Sequence, residues 1–474
     1  MRKENKSINF LKGIACILVI LNHYHSLGTV GNIVYSISHL GVPVFFMVSG
    51  YFLYNGTDTV KRLPAKIMHI FQLILLHIGL YILDFITERI ILLGNIVRKD
   101  IVVNDILSYF TAGSLKTTLF WSNSLFGTGQ WFLIALFEGY IVFWILYKIR
   151  TGRFFERYGI WIAMILFLFH IPIRIALVKT GVFDVFGINT SDSLFVRNVW
   201  FDAIPFMLVG LWLRKNQERI QILSKKRMLP LVAVGAMAVS IGEYFLTVAI
   251  LNGISMSSVL YFGTIVSVIS AFTWAVVCPE GVSGRIGKGI EYVGKNLSMI
   301  VYFVHVIVGT YLEHYVNKIG GVQQVVHVAF PILVIIGTLI VSYLIFKIKQ
   351  SAVQKLQFNI GYILTLSICV SLLLLPVGTE WRLLYKFTGE NEQVLIREEL
   401  HRDNQSTVLI TVQNDSGVTV DAIEIPAVQF IGGGVDRTSV LNEEQYTYCV
   451  TYIDNQTVQI SMSENISQVR VWAK

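Results

Sequence analysis

Stretches of about 20 apolar residues, the length that carries a helix across a hydrocarbon core, recur along this chain as far as Leu375. The run Val325–Phe346 is typical and contains no Asp, Glu, Lys or Arg. Inside a bilayer, backbone N–H and C=O groups find no water, so such runs must satisfy themselves as helices or as a closed barrel. Runs this long and this continuously apolar read as helices, because barrel strands are short and alternate in polarity. Composition agrees: 54% of the residues are hydrophobic and 14% are charged. Soluble domains carry roughly 25% charged residues. The fold class expected is a polytopic α-helical membrane bundle of about ten core helices plus an eleventh, with a small C-terminal all-β extracytoplasmic domain.

The expected spans are Ile8–Tyr24, Gly41–Tyr54, Ile67–Phe85, Trp131–Tyr147, Ile160–Val178, Val199–Leu213, Leu229–Ile250, Val259–Val277, Leu297–Tyr315, Val325–Phe346 and Ile360–Leu375. A short polar loop is expected over His25–Leu40, and a surface-lying helix around Ile101–Phe110. Every second loop is basic: Lys61, Arg62 and Lys66; Lys148 to Arg157; Arg214 to Arg227; Arg285 to Lys295; Lys347 to Lys355. The loops at His25–Leu40 and Leu251–Ser258 have no Lys or Arg. This alternation predicts a cytoplasmic N-terminus in a cell (plasma) membrane. With eleven spans the C-terminus emerges outside. The basic start Met1–Lys6 leads into a first span followed by others, which reads as a retained anchor and not a cleaved signal peptide.

A net charge of +8 is explained by basic inner loops, so nucleic-acid binding is not expected. The cysteines Cys16, Cys278, Cys369 and Cys449 stand singly, with no CxxC pair, and suggest no metal or redox site. Past Pro376 the pattern changes to short β-branched and aromatic runs such as Thr407–Val412 and Tyr448–Tyr452, broken by turn signals at Gly432–Gly434 and Asp454–Asn455. The expected organisation is therefore 1–350 as a transmembrane domain, 351–378 as an additional helix and 379–474 as a β-sandwich-like domain. Tyr446, Tyr448, Tyr452 and Trp472 could stack on sugars or fill a small core.

Ionisable side chains at membrane depth are costly and mark candidate sites. His23 ends the first span, and Lys12 lies eleven residues earlier, three turns or roughly 16 Å along a helix. A neutral imidazole can take a proton from a hydroxyl near neutral pH. A cation deeper toward the cytoplasm suits an anionic, phosphate-rich ligand. The alternatives are that His23 caps a span at the interface and that Lys12 snorkels to headgroups. His305 falls mid-way along the ninth span, and Arg197 just before the sixth. Arg197 could stabilise an oxyanion or anchor the span end. Ser49-Gly50 reads as a small-residue helix contact. His69 and His77 on the third span roughly share a face, without a third ligand nearby. His170 and Arg174 share a face at one-turn spacing. Glu243 and Asp84 have no evident role.

The runs Asn9-Phe10-Leu11-Lys12-Gly13-Ile14-Ala15…His23 and Gly41-Val42-Pro43-Val44-Phe45-Phe46-Met47-Val48-Ser49-Gly50-Tyr51 resemble the opening of the acyltransferase 3 family of membrane acyltransferases. That family is marked by a basic residue, ten residues and a histidine, then an F-F-x-x-S-G stretch. Gln130-Trp131-Phe132-Leu133 with Tyr140, then Arg197–Phe206, then Asn296–His305 are similar to later family elements in the same order. Lys12 stands where members that O-acetylate sugars usually carry Arg, and Phe137-Glu138 offers one Glu where they often carry two.

The resemblance implies an acyltransferase whose donor is acetyl-CoA or another acyl-CoA and whose acceptor is a hydroxyl on a cell-surface glycan or envelope component. His23 would be the general base, with Arg197 and His305 also catalytic, and Lys12, Arg62 and Lys66 would hold the coenzyme phosphates; no metal is implied. The alternative on the same scaffold is a non-enzymatic glycan exporter or flippase. A sensor is disfavoured because only short loops face the cytoplasm.

Overall fold

The computed structural model describes residues 4–25, 28–56, 59–91, 112–124, 129–180, 184–185, 188–189, 197–223, 226–250, 260–318 and 323–352, and nine strands between 382 and 473. Two compact units result: residues 1–82 with 108–368, and residues 83–107 with 369–474. The expected eleventh span and the helix expected around Ile101–Phe110 lie outside the described residues.

The first unit is helical. Its helices are α1 (Lys6–His23), α2 (Gly28–Ser38), α3 (Gly41–Leu53), α4 (Thr59–Ile91), α5 (Ala112–Trp121), α6 (Trp131–Lys148) and α7 (Gly152–Thr180). After a two-residue strand pair, β1 (Asp184–Val185) with β2 (Ile188–Asn189), a π turn at Val199–Ala203 leads into α8 (Ile204–Lys215). Then come α9 (Gln217–Leu223), α10 (Met228–Ile250), α11 (Phe262–Val277) and α12 (Arg285–Tyr292). A second π turn, Val293–Leu297, joins α12 to α13 (Ser298–Lys318), and α14 (Gln323–Ala352) follows.

Six helical stretches among the described residues are long and apolar enough to cross a membrane: Thr29–Leu53, Thr59–Phe85, Trp131–Lys148, Met228–Ala249, Arg285–Glu313 and Ala329–Lys347. Large apolar side chains such as Trp161, Leu168, Leu231 and Ile340 are more than half exposed, which water would not tolerate in such density but lipid does. The segment expected as a polar loop over His25–Leu40 is instead largely helix α2. Val30, Ile33, Val34 and Ile37 recur at i, i+3, i+4 and i+7, so one apolar stripe outweighs the polar residues between them.

Helix α1 is the hub. It packs against α2, α3, α11, α12, α13, α14 and the second π turn. Its start is stitched to the turn after α11: Lys6 N donates to Pro279 O at 2.9 Å, Asn5 Nδ2 to Ala275 O at 2.9 Å, and Ser7 Oγ to Cys278 O. Asn5 Oδ1 caps the helix by accepting from Ile8 N at 2.9 Å. Glycines let its neighbours come close. A Cβ on Gly13 would lie 2.0 Å from Ile290 O, and one on Gly294 would lie 1.9 Å from Asn9 O.

A second close crossing joins α3 to α8. Gly50 faces Met207 O and Gly210 faces Met47 O, each so near that an added Cβ would approach the oxygen to 2.0 and 2.1 Å. Phe46, Met47, Phe206 and Met207, all 0% exposed, fill the space around it. Small residues serve membrane helix pairs in this way because dispersion contacts replace the hydrophobic drive. Glu243 receives its explanation here. Its Oε2 accepts from Gly263 N at 2.8 Å and satisfies the start of α11, where Tyr261 supplies no side-chain cap.

In the second unit nine strands, β3 (Arg382–Thr388), β4 (Arg397–Arg402), β5 (Thr407–Gln413), β6 (Ala422–Ile425), β7 (Val428–Ile431), β8 (Arg437–Glu443), β9 (Tyr446–Tyr452), β10 (Thr457–Ser463) and β11 (Gln468–Ala473), form two antiparallel sheets. The orders are β4-β5-β10-β9-β8 and β3-β11-β6-β7. Val458 pairs with Val412 at the centre of the larger sheet, and the β11–β3 register shifts between Val471 and Trp472. The side chains of Tyr446, Tyr448, Tyr452 and Trp472 lie outside the described set.

Candidate active site

Two imidazoles meet where α1 ends against α13. The ring centroids of His23 and His305 are 5.1 Å apart, with planes inclined by 59°. Helix α1 is held in this position at its last turn. Tyr24 donates its hydroxyl to Val306 O at 2.9 Å, and its ring packs onto Gly309, where a Cβ would lie 2.0 Å from the ring. On the other side Ser38 Oγ donates to Asn22 Oδ1 at 3.1 Å, tying α1 to α2.

The two rings differ in access. His305 is 1% exposed, whereas His23 is an exposed residue. His305 Nδ1 lies 3.0 Å from Val301 O and 2.9 Å from Tyr302 O. Carbonyl oxygens only accept, so Nδ1 carries the hydrogen and Nε2 holds a lone pair. That Nε2 is buried and makes no hydrogen bond. An imidazole in this tautomer accepts a proton or a hydrogen bond; it cannot donate one to an oxyanion without first being protonated.

Both histidines line a partly open cavity of about 30 Å³. From α1 it takes Cys16, Val19 and His23, which recur at helical spacing on one face. From α13 it takes Ser298, Val301, Tyr302 and His305, again one face. Val42 and Phe45 of α3 and Gly129, Trp131 and Phe132 around the start of α6 close it. Tyr302 donates to Gly129 O at 2.7 Å and so fixes the turn before α6.

Arg197 stands beside Trp131, a wall residue of the cavity. Its guanidinium lies 6.0 Å from the centre of the Trp131 ring. The segment bearing it is pinned: Asn198 Oδ1 accepts from Trp200 N at 2.9 Å and Phe201 N at 3.0 Å, and Val199 N donates to Ser122 Oγ at 3.0 Å. Ser122 in turn donates to Glu138 Oε2. Glu138 thus braces the first π turn through Ser122. Both π turns border the site, one beside Arg197 and one before Ser298, in keeping with the frequent use of such irregularities at functional positions.

The expected coenzyme-binding residues are not part of this cavity. Lys12 lies on α1, nearly eclipsed with His23 at three turns' distance, half-buried and without an acidic partner among the described residues. Arg62 and Lys66, one turn apart on α4, are exposed and half-buried, and Lys66 Nζ stands 5.5 Å over the Tyr140 ring. His69 and His77 do not share an environment. Eight residues turn a helix by about 80° beyond two full turns, so His69 is exposed while His77 is buried and stacked on Tyr81 at 4.3 Å. His170 packs on Phe201 at 5.7 Å, and the Arg174 side chain lies outside the described set.

Sequence reasoning missed Cys16, Phe132, Ser298 and Tyr302 as wall residues and Ser122 as a brace. For α1 and α13 a signal existed, since i, i+4, i+7 spacing from each histidine marks the same face. For Ser122 none did, because its partners come from segments distant in the chain.

A bundle with several membrane-length apolar helices and a histidine pair at an internal cavity defines a multi-pass membrane protein with a built site. Residues 5–347 match the protein family described as an acyltransferase domain, which contains every site residue above. The chain belongs to the acyltransferase 3 family and is a membrane-bound acyltransferase. No curated protein and no solved structure matches it.

Proposed function

We propose that the chain moves an acyl group, in the first instance acetyl, from cytoplasmic acyl-CoA to a hydroxyl of an extracytoplasmic glycan or envelope component. The meeting of His23 and His305 at one cavity, within the matched region, carries this reading. His23, the more exposed of the two residues, takes the acceptor's hydroxyl proton. The oxygen attacks the thioester carbonyl, the carbon–sulfur bond breaks, and coenzyme A leaves as a thiolate that regains a proton. In the substrate-bound state His305 would turn its unpaired Nε2 lone pair to the His23 N–H and so select the tautomer whose other nitrogen is the base, as a triad's orienting group does. Arg197 would stabilise the developing negative charge.

Lys12 suits a coenzyme phosphate: it is a half-buried cation with no carboxylate partner among the described residues, on the His23 face of α1. As a lysine it binds as a point charge and not as a fork. Arg62 and Lys66 add positive charge on α4. In this orientation the N-terminus is cytoplasmic, the membrane is the plasma membrane, and the β-rich region 379–474 stands outside on the acceptor's side. The test compares envelope glycans by mass spectrometry from cells with the native chain, without it, and with His23→Ala. Acyl esters should disappear in the last two, with membrane insertion of the variant unchanged. A general base contributes about 10²–10⁴-fold, so esters persisting at the native level in His23→Ala refute the role of His23.

A further inference from the structure

We propose that Ser122 and Glu138 are positioning residues for the transfer, and that through them one face of α6 sets where the Arg197 guanidinium stands. The inference rests on the role of Arg197 proposed above and adds the device that aims it. Two backbone irregularities meet here through one hydrogen bond. Ser122 is 0% exposed and has a φ of 52°, a left-handed conformation that L side chains rarely adopt. Among the described non-glycine residues only Arg150 shares it. Val199 opens the first π turn, two residues after Arg197. Asn198 Oδ1 takes the N–H groups of Trp200 and Phe201, and leaves that of Val199 to Ser122 Oγ at 3.0 Å. Strained residues of this kind persist where their surroundings over-determine them, and they cluster at functional sites.

Glu138 completes the device. A hydroxyl has a single hydrogen to give; Ser122 accepts from Val199 N and gives its own hydrogen to Glu138 Oε2. The other carboxyl oxygen, Oε1, is buried and makes no hydrogen bond. A carboxyl left half-satisfied within a helix of membrane length is costly, so packing alone does not account for it. Seven residues earlier, on the same face of α6, the Trp131 ring lies 6.0 Å from the guanidinium and lines the cavity. Arg197 is thus tied to α6 twice: by its side chain at Trp131, and by its backbone through Ser122 and Glu138.

The experiment uses envelope membranes from cells producing the full chain and follows label from radiolabelled acetyl-CoA into the glycan fraction. Rates are taken per folded molecule, with the melting curve of each purified variant beside them. Ser122→Gly deletes the hydroxyl and keeps the left-handed backbone accessible. A misplacement of about 1 Å can cost about 10²-fold, so kcat should fall by at least about tenfold in Ser122→Gly, with KM for acetyl-CoA unchanged. Glu138→Leu should match it, whereas Glu138→Gln, whose amide oxygen still accepts from Ser122, should keep most of the native kcat. In an Arg197→Gln background Ser122→Gly should cost nothing further, because residues that act through one another are not additive. A native kcat in Ser122→Gly overturns the positioning role even if the melting point drops. So does an equal loss with and without Arg197, or a loss on Glu138→Gln as large as on Glu138→Leu. Those results leave the transferase reading standing. Should Ser122→Gly not fold, the two Glu138 variants decide. A native kcat in Arg197→Gln removes the role of Arg197 and the inference together. If the native chain transfers no label, the donor assignment itself fails, and the inference with it.

Discussion

At His305 the protonation pattern follows from what each ring nitrogen meets. Two carbonyls hold the Nδ1 hydrogen, and Nε2 is left with a lone pair beside His23. A residue that acts only by orienting another can still matter greatly to the rate, since loss of a triad's orienting group costs about 10⁴-fold. His305→Ala should therefore lower kcat by up to about that factor and leave KM for acyl-CoA unchanged. Steady-state kinetics in which His305→Ala keeps the native kcat would remove the positioning role of His305. The charge pair at the start of α1 makes a useful contrast. Glu4 accepts from Lys295 at 2.8 Å, and that bond holds the Glu4 carboxyl below its ordinary value. Its contribution is thus present above the unfolded-state value and fades as pH falls through the lowered one. Both side chains are nearly half exposed, and such pairs add little. Glu4→Gln should leave the thermal midpoint at neutral pH unmoved.

At the scale of elements, position is set by close helix crossings more than by polar bonds. Gly50 and Gly210 bring the α3 and α8 backbones into contact, and the obstacle to a side chain there is a carbonyl oxygen that cannot rotate away. Overpacking of this kind costs typically about 1–3 kcal/mol. Gly50→Ala and Gly210→Ala should each lower the thermal midpoint of the purified protein, measurably in a fluorescence scan. Gly309 plays a different part. It receives the Tyr24 ring at the end of α1, so Gly309→Ala should displace Tyr24 and the adjacent His23 and reduce transfer more than stability. Activity per folded molecule, measured beside the melting curve, separates the two effects.

For the whole molecule, the alternation of basic and neutral loops predicts a cytoplasmic N-terminus. A membrane-impermeant maleimide applied to intact cells should label Ser467→Cys in a cysteine-free background. Ser283→Cys, next to the basic stretch Arg285–Lys295, should be labelled only after permeabilisation. Labelling of Ser283→Cys in intact cells would overturn the proposed topology and the proposed cytoplasmic entry of acyl-CoA. The exposed apolar belt of the helical unit, with Trp161, Leu168 and Ile340 facing outward, requires lipid whichever way the bundle points.

What the amino-acid order determined by itself was the membrane class and the family, because segment length, hydropathy and a basic residue spaced three turns from a histidine are one-dimensional signals. It also pointed to His23, His305 and Arg197 one by one. It misread His25–Leu40, where an apolar stripe on one face hides among polar residues, and it grouped His69 with His77, of which the first is exposed and the second buried. Only the tertiary structure decided that His23 and His305 face each other, that Glu138 braces the Arg197 segment through Ser122, and that Phe132 closes the cavity. Each of these depends on which faces of separate helices pack together, and that is fixed by backbone contacts at glycines and by side-chain volumes far apart in the chain.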